Sequence, residues 1–408
     1  RSGYVEQRLT AGGDQIAGEA VNDPRELPLE VVAGPDGEPL EIEIGLPSST
    51  LYLRAWKAQI GRVPLYLLDS DVERNRPEDR GVTRQLYGGD QETRLRQEIA
   101  LGRGGARLLA RLSIEPSVWH LNEGHAAFVG VERAGRMVRE LGLTFDEARE
   151  IVRASTLFTT HTPVPAGHDR FGEDLMRRYF SDAPAAFGVP WDRFYEMGLA
   201  EEDRASFNMT YLAIAFASFV NGVSKLHGQV SRSLLRPCWP KLLEGEVPVQ
   251  SVTNAVHLAT WTDPEIARSP EPRALWDARR ATKRRLLDRI RSSLERSFAE
   301  RGDSPALLGR MLEGLDPNAL WIGFARRFAP YKRAHLLFRD LARLARLLSN
   351  PERPVRIVFG GKAHPHDQLG LEVLKKVALL ARAEPFVGRV FVREDYDLEL
   401  ARRLVQGA

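Results

Sequence analysis

Short apolar runs alternate with helix-patterned stretches through the first 257 residues. Residues 29–44 alternate apolar and polar positions around Pro35-Asp36-Gly37, a pattern typical of a hairpin. Further strands are predicted at 63–69, which should be buried, and at 117–121, 157–160 and 249–253. Helices are predicted at 92–112, 125–141, 145–154 and 211–235. Strands that lead through a turn into a helix form α/β sheets, so this region predicts an α/β domain.

The pattern becomes regular after a basic helix predicted at 275–301. Strands at 320–325, 355–359 and 390–392 alternate with helices at 331–348, 366–383 and 398–405. Strands and helices alternating at these lengths predict a parallel, doubly wound sheet. Three prolines between residues 264 and 272 interrupt the pattern, so we place a domain boundary near residue 257. The prediction is an N-terminal domain, 1–257, and a C-terminal Rossmann-like domain, 258–408.

Composition narrows the class of protein. With 408 residues, 43% hydrophobic and 28% charged, the chain resembles a globular protein with more than one core. A net charge of +3 and a cationic stretch at 279–291 without interleaved aromatic residues favour a solvated helix face over a nucleic-acid site. No run of 18 apolar residues predicts a membrane helix. Cys238 is the single cysteine and fits a reducing compartment, so we expect a cytoplasmic protein.

The densest cationic feature is the segment RRFAPYKR at 326–333. It lies between a predicted strand and a predicted helix, where arginine forks, a lysine and helix N–H groups can form a phosphate site. A solvated basic turn is the alternative, and the spacing leaves the two equally open. Gly360 and Gly361 follow the next strand, where glycine lets the backbone approach a ligand closely. The spacing of a P-loop is absent there.

Two histidine-rich motifs invite a metal interpretation, but their spacing favours neither. The segment HLNEGH at 120–125 misses both zincin spacings and spans a strand-to-helix turn. The segment HPHD at 364–367 has a proline between its histidines and no third partner nearby. Four-coordinate ligation needs better geometry, so we predict no metal site.

Six motifs in the same order resemble those of the α-glucan phosphorylases, most of all the short bacterial and archaeal branch. They are VWHLNEGHAAF at 118–128, FTTHTPVPAGHDRF at 158–171, TNAVH at 253–257, FARRFAPYKR at 324–333, GGKA at 360–363 and VFVREDYDLELA at 390–401. The resemblance covers essentially the whole chain. It implies a GT-B-type α/β fold, in which two Rossmann-like doubly wound domains face each other across a cleft.

The resemblance also implies a reaction. Enzymes of this family transfer the terminal glucosyl unit of an α-1,4-glucan, such as glycogen, starch or maltodextrin, to inorganic phosphate. The product is glucose 1-phosphate, with the anomeric configuration retained. The implied cofactor is pyridoxal 5'-phosphate (PLP), held as a Schiff base, whose phosphate group relays a proton with the substrate phosphate. The implied partners are therefore the glucan and inorganic phosphate, and a homo-oligomer stays open.

On the phosphate side, the resemblance assigns Arg327 and Lys332 to catalysis. They match the cations that hold the substrate phosphate and the cofactor phosphate, and Arg326 takes a position usually filled by another cation. Gly360 and Gly361 are assigned to the same phosphate and cofactor group. Such cations would gather two phosphates and stabilise the charge that shifts toward the departing glucan oxygen. The resemblance thus favours an anion site over a solvated turn.

On the sugar side, the resemblance assigns a catalytic part to His161, which matches the histidine beside the glucosyl ring. Asn254 matches an amide that hydrogen-bonds a glucose hydroxyl. The further implied substrate-binding residues are Asp90, Gln91, Glu123, His125 and Tyr331. Gln91 and Glu123 depart from the family pattern, which has Asn and Asp at these positions.

Two parts of the family pattern do not fall within these 408 residues. The glycine-rich loop around the cofactor phosphate is expected before Gly3, and the cofactor lysine after Ala408. We therefore expect a chain truncated at both ends and inactive by itself. A sugar-nucleotide-dependent glycosyltransferase of the glycogen synthase kind is the rival enzyme class. A glucan-binding or regulatory module without catalysis is the non-enzymatic alternative.

Overall fold

A computed structural model of the chain describes residues 5–18, 22–86, 89–164, 167–201, 203–269 and 271–408. These residues divide into two compact units. Residues 22–255 form the first unit, and residues 5–18 together with 256–408 form the second. Each unit contains a parallel sheet with interleaved helices, which confirms the predicted α/β class.

The strands and helices follow one another along the chain as the α/β class requires. The strands are β1 (Glu6–Leu9), β2 (Gln15–Gly18), β3 (Glu30–Val31), β4 (Glu41–Gly45), β5 (Thr50–Ile60), β6 (Val63–Asp69), β7 (Trp119–Asn122), β8 (Thr156–Thr160), β9 (Arg170–Phe171), β10 (Phe207–Asn208), β11 (Phe219–Gly222), β12 (Val249–Ser251), β13 (Leu320–Ala325), β14 (Val355–Gly360) and β15 (Val390–Arg393). The helices are α1 (Gln91–Ile99), α2 (Gly105–Arg111), α3 (Phe128–Leu141), α4 (Phe145–Ala154), α5 (Glu173–Phe180), α6 (Ala183–Phe187), α7 (Trp191–Glu196), α8 (Met209–Ala215), α9 (Lys225–Leu235), α10 (Leu258–Trp261), α11 (Pro264–Ala267), α12 (Pro272–Arg301), α13 (Pro305–Glu313), α14 (Leu341–Leu348), α15 (Gln368–Ala381) and α16 (Leu398–Gly407).

The parallel sheet of the first unit has the strand order β12-β11-β8-β7. Its central strand β11 corrects the sequence prediction, which placed one long helix at 211–235. The structure has α8, β11 and α9 there instead. A short apolar run that is buried on both faces reads alike as strand and helix, so periodicity alone could not find β11. Without this strand, β8 and β12 would not belong to one sheet.

An antiparallel sheet accompanies it, in which β3, β4 and β6 all pair with the long strand β5. The turn predicted at Pro35-Asp36-Gly37 is present, with φ of 84° at Gly37. The predicted strand 63–69 is β6, but the prediction that it is buried was wrong. Val63, Leu65 and Leu67, which alternate along the strand and therefore share one face, are exposed.

The sheet of the second unit is parallel, with strand order β13-β14-β15, and helices cover both of its faces. On one face α12 and α16 pack on Trp321, Val358 and Phe391. On the other face α14 and α15 pack on Ile357, Phe359 and Val390. The last residues of the strands, Ala325, Gly360 and Arg393, lie side by side in register. The loops that follow these strands therefore share one edge of the sheet.

The prediction of a helix at 331–348 was wrong for the first half of this range. Residues 330–332 and 334–338 form two short 3-10 turns, and α14 begins only at Leu341. Arg333 has a left-handed φ of 63°, which an α-helix cannot accommodate. Lys332 therefore does not lie at the N-terminus of an α-helix, and the helix dipole cannot contribute to an anion site here.

The chain begins its described part with a hairpin, β1 and β2, that belongs to the second unit. The first unit ends at Ala255, and the sequence placed a domain boundary near residue 257. The sequence prediction assigned the first residues of the chain to the N-terminal domain. That domain division stays a prediction. Among the residues that the structure describes, no helix is long and apolar enough to cross a membrane.

Candidate active site

The sugar-side residues lie at the carboxyl edge of the first unit's parallel sheet, where α/β folds hold ligands. Glu123 follows β7, His161 follows β8 and Asn254 follows β12. The strand ends are in register, with Asn122 opposite Thr159. The structure thus brings three segments, separated by up to about 130 positions in sequence, to one edge of the sheet.

Glu123 ties two of these loops together. Its side chain is only 8% exposed, and its Oε1 accepts from the backbone N–H of His161 at 2.6 Å and from Thr162 Oγ1 at 2.9 Å. Its own amide donates to Thr159 O at 2.9 Å. Glu123 adopts a φ of 67°, a conformation that costs free energy for a residue with a side chain. Such a carboxylate, buried and hydrogen-bonded twice, sets the path of the loop that carries His161.

His161 and Asn254 present polar groups to solvent from this edge. The imidazole of His161 is exposed, and its Nε2 lies 2.7 Å from Asn122 Oδ1. Asn254 is also exposed, and its backbone N–H donates to Val223 O at 3.3 Å. An imidazole and a primary amide both suit sugar hydroxyls, which donate and accept hydrogen bonds.

His125 belongs to a charged cluster that the sequence reasoning missed. Its Nδ1 lies 3.0 Å from Asp169 Oδ2 and 3.6 Å from Glu98 Oε1. Arg94 Nη2 lies 2.8 Å from Asp169 Oδ2 and 3.1 Å from Glu98 Oε1. Arg94 and Glu98 lie on α1, His125 lies in the turn after β7, and Asp169 directly precedes β9. The Arg94 and Glu98 pair, four residues apart on α1, was the one part visible as a sequence signal.

The pKa values in this cluster are shifted by its charges and its burial. Hydrogen bonds to Asp169 and then to Glu98 raise the pKa of His125 to about 9. Burial raises the pKa of Glu98 to about 7. Burial alone would also raise the pKa of Asp169, but hydrogen bonds with His125 and Glu98 and the charge of Arg94 hold it below its usual value. His125 is therefore a cation at neutral pH.

Glu98, His125 and Asp169 have ligand atoms close enough together to hold a metal ion. The guanidinium of Arg94 already fills the position between them, since its Nη2 lies within 3.4 Å of an atom of each residue. The cluster is thus a network of ion pairs in which a cation is supplied by the protein.

A pocket of about 650 Å³ opens beside this cluster. Arg94, Glu98 and His125 belong to its lining, together with apolar side chains of β6, α2 and β7. Neither His161 nor Asn254 lines it.

Asp90 and Gln91 begin α1. The carboxylate of Asp90 caps this helix by accepting from the Thr93 amide at 2.9 Å, and that hydrogen bond lowers the pKa of Asp90. Gln91 is the first helical residue, and both side chains are exposed. Gly88, which the sequence places in the same loop, lies outside the described residues. The same helix carries Arg94 and Glu98, so α1 connects the Asp90 loop with the charged cluster.

The phosphate-side cations lie at the carboxyl edge of the second unit's sheet. Arg326 and Arg327 are exposed and follow β13 directly. The Arg326 amide donates to Gly360 O at 3.0 Å, and the Phe328 amide donates to Lys362 O at 2.9 Å. The segment with the two arginines therefore runs hydrogen-bonded beside residues 360–363.

Gly361 shows why glycine is needed in that neighbouring segment. A Cβ at this position would lie 1.9 Å from the carbonyl oxygen of Arg326, a distance that no side chain can tolerate. At Gly360 a Cβ would lie 2.9 Å from the ring of Tyr396. The GGKA motif thus reflects close packing against the arginine segment and against α16.

Tyr331 and Lys332 complete this edge. They lie in the 3-10 turn at 330–332, with Lys332 Nζ 4.7 Å from the centre of the Tyr331 ring, a cation–π contact. Tyr331 is 47% exposed, so the core role that tyrosine often has does not apply here. The structure places both residues beside the arginines of the same loop.

Comparisons with known proteins decide between the families that share such an edge. The chain is 42% identical to a glycogen phosphorylase of Mycobacterium tuberculosis, over 100% of this chain and 51% of the relative. It is 41% identical to a maltodextrin phosphorylase of Thermococcus litoralis, over 100% of this chain and 50% of the relative. The chain is a homologue of the glycogen and maltodextrin phosphorylases.

This homology confirms the resemblance inferred from the six motifs. A glycogen phosphorylase of Aquifex aeolicus is 34% identical, over 99% of this chain and 62% of the relative. No family profile matches the chain. The chain spans about half the length of the phosphorylases that it matches first.

Proposed function

We propose that this chain belongs to an α-glucan phosphorylase, an enzyme that cleaves terminal α-1,4-glucosyl units of glycogen, starch or maltodextrin with inorganic phosphate. The product is glucose 1-phosphate, and the anomeric configuration is retained. The observation that carries the proposal is homology along the whole chain to proteins named glycogen phosphorylase and maltodextrin phosphorylase. The single cysteine supports a cytoplasmic location.

The sugar-side groups would belong to the domain 1–257. His161 contacts the glucosyl unit and Asn254 hydrogen-bonds one of its hydroxyls, both from the edge that Glu123 organises. Asp90 and Gln91 contribute from the start of α1, and His125 supports the site from the charged cluster. The exposure of His161 and Asn254 supports this assignment, because a group that binds a ligand must be reachable.

The phosphate-side groups would belong to the domain 258–408. Arg327 and Lys332 bind phosphate and stabilise the negative charge that develops as the glycosidic bond breaks. Arg326 adds a third cation, and Tyr331 lines the same loop. Gly360 and Gly361 let the neighbouring segment pack tightly against the arginines. Exposed arginine forks on an edge loop support such an anion site.

The described residues fit the phosphate group of PLP but show no anchor for its aldehyde. When bound, this cofactor supplies a phosphate group that exchanges a proton with the substrate phosphate. Arg326, Arg327 and Lys332 offer the cations that such a group requires. Lys362 is the lysine nearest to the glycine pair in sequence, but its Nζ bonds Asp395 Oδ1 at 2.6 Å and Val5 O at 2.7 Å. The cofactor is thus part of the proposal through its phosphate alone.

The test compares inorganic phosphate, a glucosyl acceptor, with a sugar nucleotide, a glucosyl donor, in parallel assays. The 408-residue chain and the protein encoded by the full open reading frame are each incubated with PLP and maltoheptaose. Each protein receives either inorganic phosphate, which tests cleavage of the glucan, or a sugar nucleotide, which tests its extension. We expect the full reading frame to form glucose 1-phosphate only with phosphate, and the 408-residue chain to be inactive. Glucosyl transfer from the nucleotide would instead identify a glycogen-synthase-like enzyme, and glucan binding without either reaction would identify a binding module.

A further inference from the structure

The hairpin formed by β1 and β2 has one face buried against the rest of the second unit. Along β1 the side chains of Glu6 and Arg8 are exposed, while Gln7 is 2% exposed and Leu9 belongs to the buried core that also contains residues of α14 and α15. A buried glutamine must satisfy its amide, or the free energy of folding suffers. The partners of this amide lie at the carboxyl edge of the sheet.

Two glutamines of the hairpin hold the backbone of residues 361–363. Gln7 Nε2 donates to Gly361 O at 3.2 Å and to Gln15 Oε1 at 2.7 Å. Gln15 Nε2 donates to Ala363 O at 2.9 Å, and the Ala363 amide donates back to Gln15 Oε1 at 2.9 Å. Gln15 therefore pairs with Ala363 as a neighbouring strand would.

Lys362 fastens the same segment from its other side. Its side chain is 9% exposed, and its Nζ bonds Asp395 Oδ1 and Val5 O. The backbone N–H of Asp395 in turn donates to Gln7 Oε1 at 3.2 Å, and the backbone N–H of Gln7 donates to Asp395 Oδ1 at 3.3 Å. The hairpin, residues 361–363 and the loop after β15 thus form one hydrogen-bonded unit.

The arginine segment is attached to this unit. Arg326 N and Phe328 N donate to Gly360 O and Lys362 O, and the Arg326 carbonyl lies against Gly361. Arg327 lies between these two bonded residues. A displacement of residues 361–363 must therefore displace the backbone that carries the guanidinium of Arg327.

We propose that Gln7 and Gln15 are positioning residues for the phosphate-side cations, acting through residues 361–363. The hairpin holds the arginine segment in the place where Arg327 binds a phosphate group. This inference rests on the proposed function, since that function assigns Arg327 to phosphate. It adds that the start of the chain, about 310 positions away in sequence, sets phosphate affinity.

Binding of inorganic phosphate to the 408-residue chain, measured by calorimetry, tests the proposal. The variants are Gln7→Met and Gln15→Met, which keep the side-chain volume and remove the amide. Ile16→Ala is the matched control, because Ile16 is exposed on the same strand as Gln15. We expect each glutamine variant to weaken phosphate binding roughly 10-fold, within the range that misplacement by about an ångström can cost. The control should bind as the unaltered chain does.

A second pair of variants separates positioning from general stability. Asp395→Asn keeps the Oδ1 acceptor and tolerates the left-handed φ of 50° at this residue, whereas Asp395→Ala loses the acceptor. We expect phosphate affinity to survive Asp395→Asn and to fall with Asp395→Ala. If a glutamine variant does not fold, hydrogen exchange of the unaltered chain decides. The Ala363 amide must then exchange together with the hairpin amides, and exchange with β14 instead would overturn the proposal.

The outcomes for the two proposals are distinct. If Arg327→Ala abolishes phosphate binding while both glutamine variants bind normally, the positioning role is wrong and the proposed function stands. If the unaltered chain does not bind phosphate, or Arg327→Ala binds it equally well, the phosphate assignment itself fails and the positioning role fails with it.

Discussion

The carboxyl edges of the two parallel sheets hold their polar side chains in different ways. In the first unit, Glu123 is buried and joins two loops through hydrogen bonds of 2.6 and 2.9 Å. In the second unit, Arg326 and Arg327 are exposed, and their backbone segment is hydrogen-bonded to the loop that follows the neighbouring strand. Buried carboxylates that accept hydrogen bonds stabilise the fold, whereas exposed cations contribute little stability.

We therefore expect mutations at the first edge to lower the stability of the fold, and mutations at the second edge to affect phosphate binding and catalysis. At the first edge, a lost side chain leaves buried donors without acceptors. At the second edge, it removes charge from a solvated loop, so the fold barely changes. The predictions below begin with the largest expected effect.

Arg327→Ala should give the largest effect on catalysis. In the full reading frame we expect the rate of glucose 1-phosphate formation to fall about 10²–10³-fold, the usual scale for removing a group that stabilises transition-state charge. The free energy of unfolding should change by less than about 0.5 kcal/mol, because the side chain is exposed. Arg339→Ala, at an exposed arginine in the same region, is the control and should leave the rate unaltered. A parallel loss in both variants would show that overall charge, and not Arg327, matters.

Glu123→Ala should give the largest effect on stability. We expect the free energy of unfolding of the 408-residue chain to fall by about 3 kcal/mol, because the His161 amide and the Thr162 hydroxyl lose a charged acceptor. Urea denaturation measures this change. Glu201→Ala, at an exposed glutamate of the first unit, should change it by less than about 0.5 kcal/mol. Equal stability of the two variants would contradict an organising role for Glu123.

The charged cluster of the first unit should make stability depend on pH. The pKa of His125 is raised from 6.5 to about 9, so its contribution is complete below pH 6.5 and is lost as the pH rises through 9. The pKa of Glu98 is raised from 4.5 to about 7, so its contribution to stability is lost as the pH rises from 4.5 through 7. Between pH 7 and 9.5 the loss therefore comes from His125, and we expect about 2 kcal/mol.

Denaturation of the chain at pH 7 and at pH 9.5 measures this loss. His125→Gln should abolish most of the difference between the two pH values, and His257→Gln, at an exposed histidine, should preserve it. A difference that persists in His125→Gln would show that another group titrates in this range.

Asp90→Ala should give the smallest effect. Removing an N-cap costs about 1 kcal/mol, and Asp90→Asn should cost almost nothing because Asn caps equally well. Thermal denaturation of the two variants provides the measurement. If the reading-frame protein also loses activity with Asp90→Asn, then the carboxylate itself contacts the substrate. Equal melting temperatures for Asp90→Ala and the unaltered chain would show that the cap does not stabilise α1.

Local pattern was enough to predict much of the fold. Helix α4 was predicted with the bounds that it has in the structure, where Thr144 and Glu147 form a capping box at its start. Strands β13 and β14 were found because they are apolar runs bounded by turn residues. In these segments the local preference and the tertiary environment agree.

The features that escaped prediction depend on distant parts of the chain. Strand β11 is defined by its pairing with β8 and β12, not by its own pattern. The ion pair between Arg94 and Asp169 joins residues 75 positions apart, and the hairpin reaches the loop after β15 across 388 positions. The candidate site residues were assigned through motifs, whereas Arg94, Gln7 and Gln15 lie outside the six motifs.

The most direct test of the account is whether the full reading frame releases glucose 1-phosphate from maltoheptaose in proportion to inorganic phosphate. The assay is run with PLP for the unaltered protein, Arg327→Ala and Arg339→Ala. We predict saturable dependence on phosphate in the unaltered protein and in Arg339→Ala, and loss of the product in Arg327→Ala. Product formation that does not depend on phosphate, or that is equal in all three proteins, would contradict the assignment of this chain to glucan phosphorolysis.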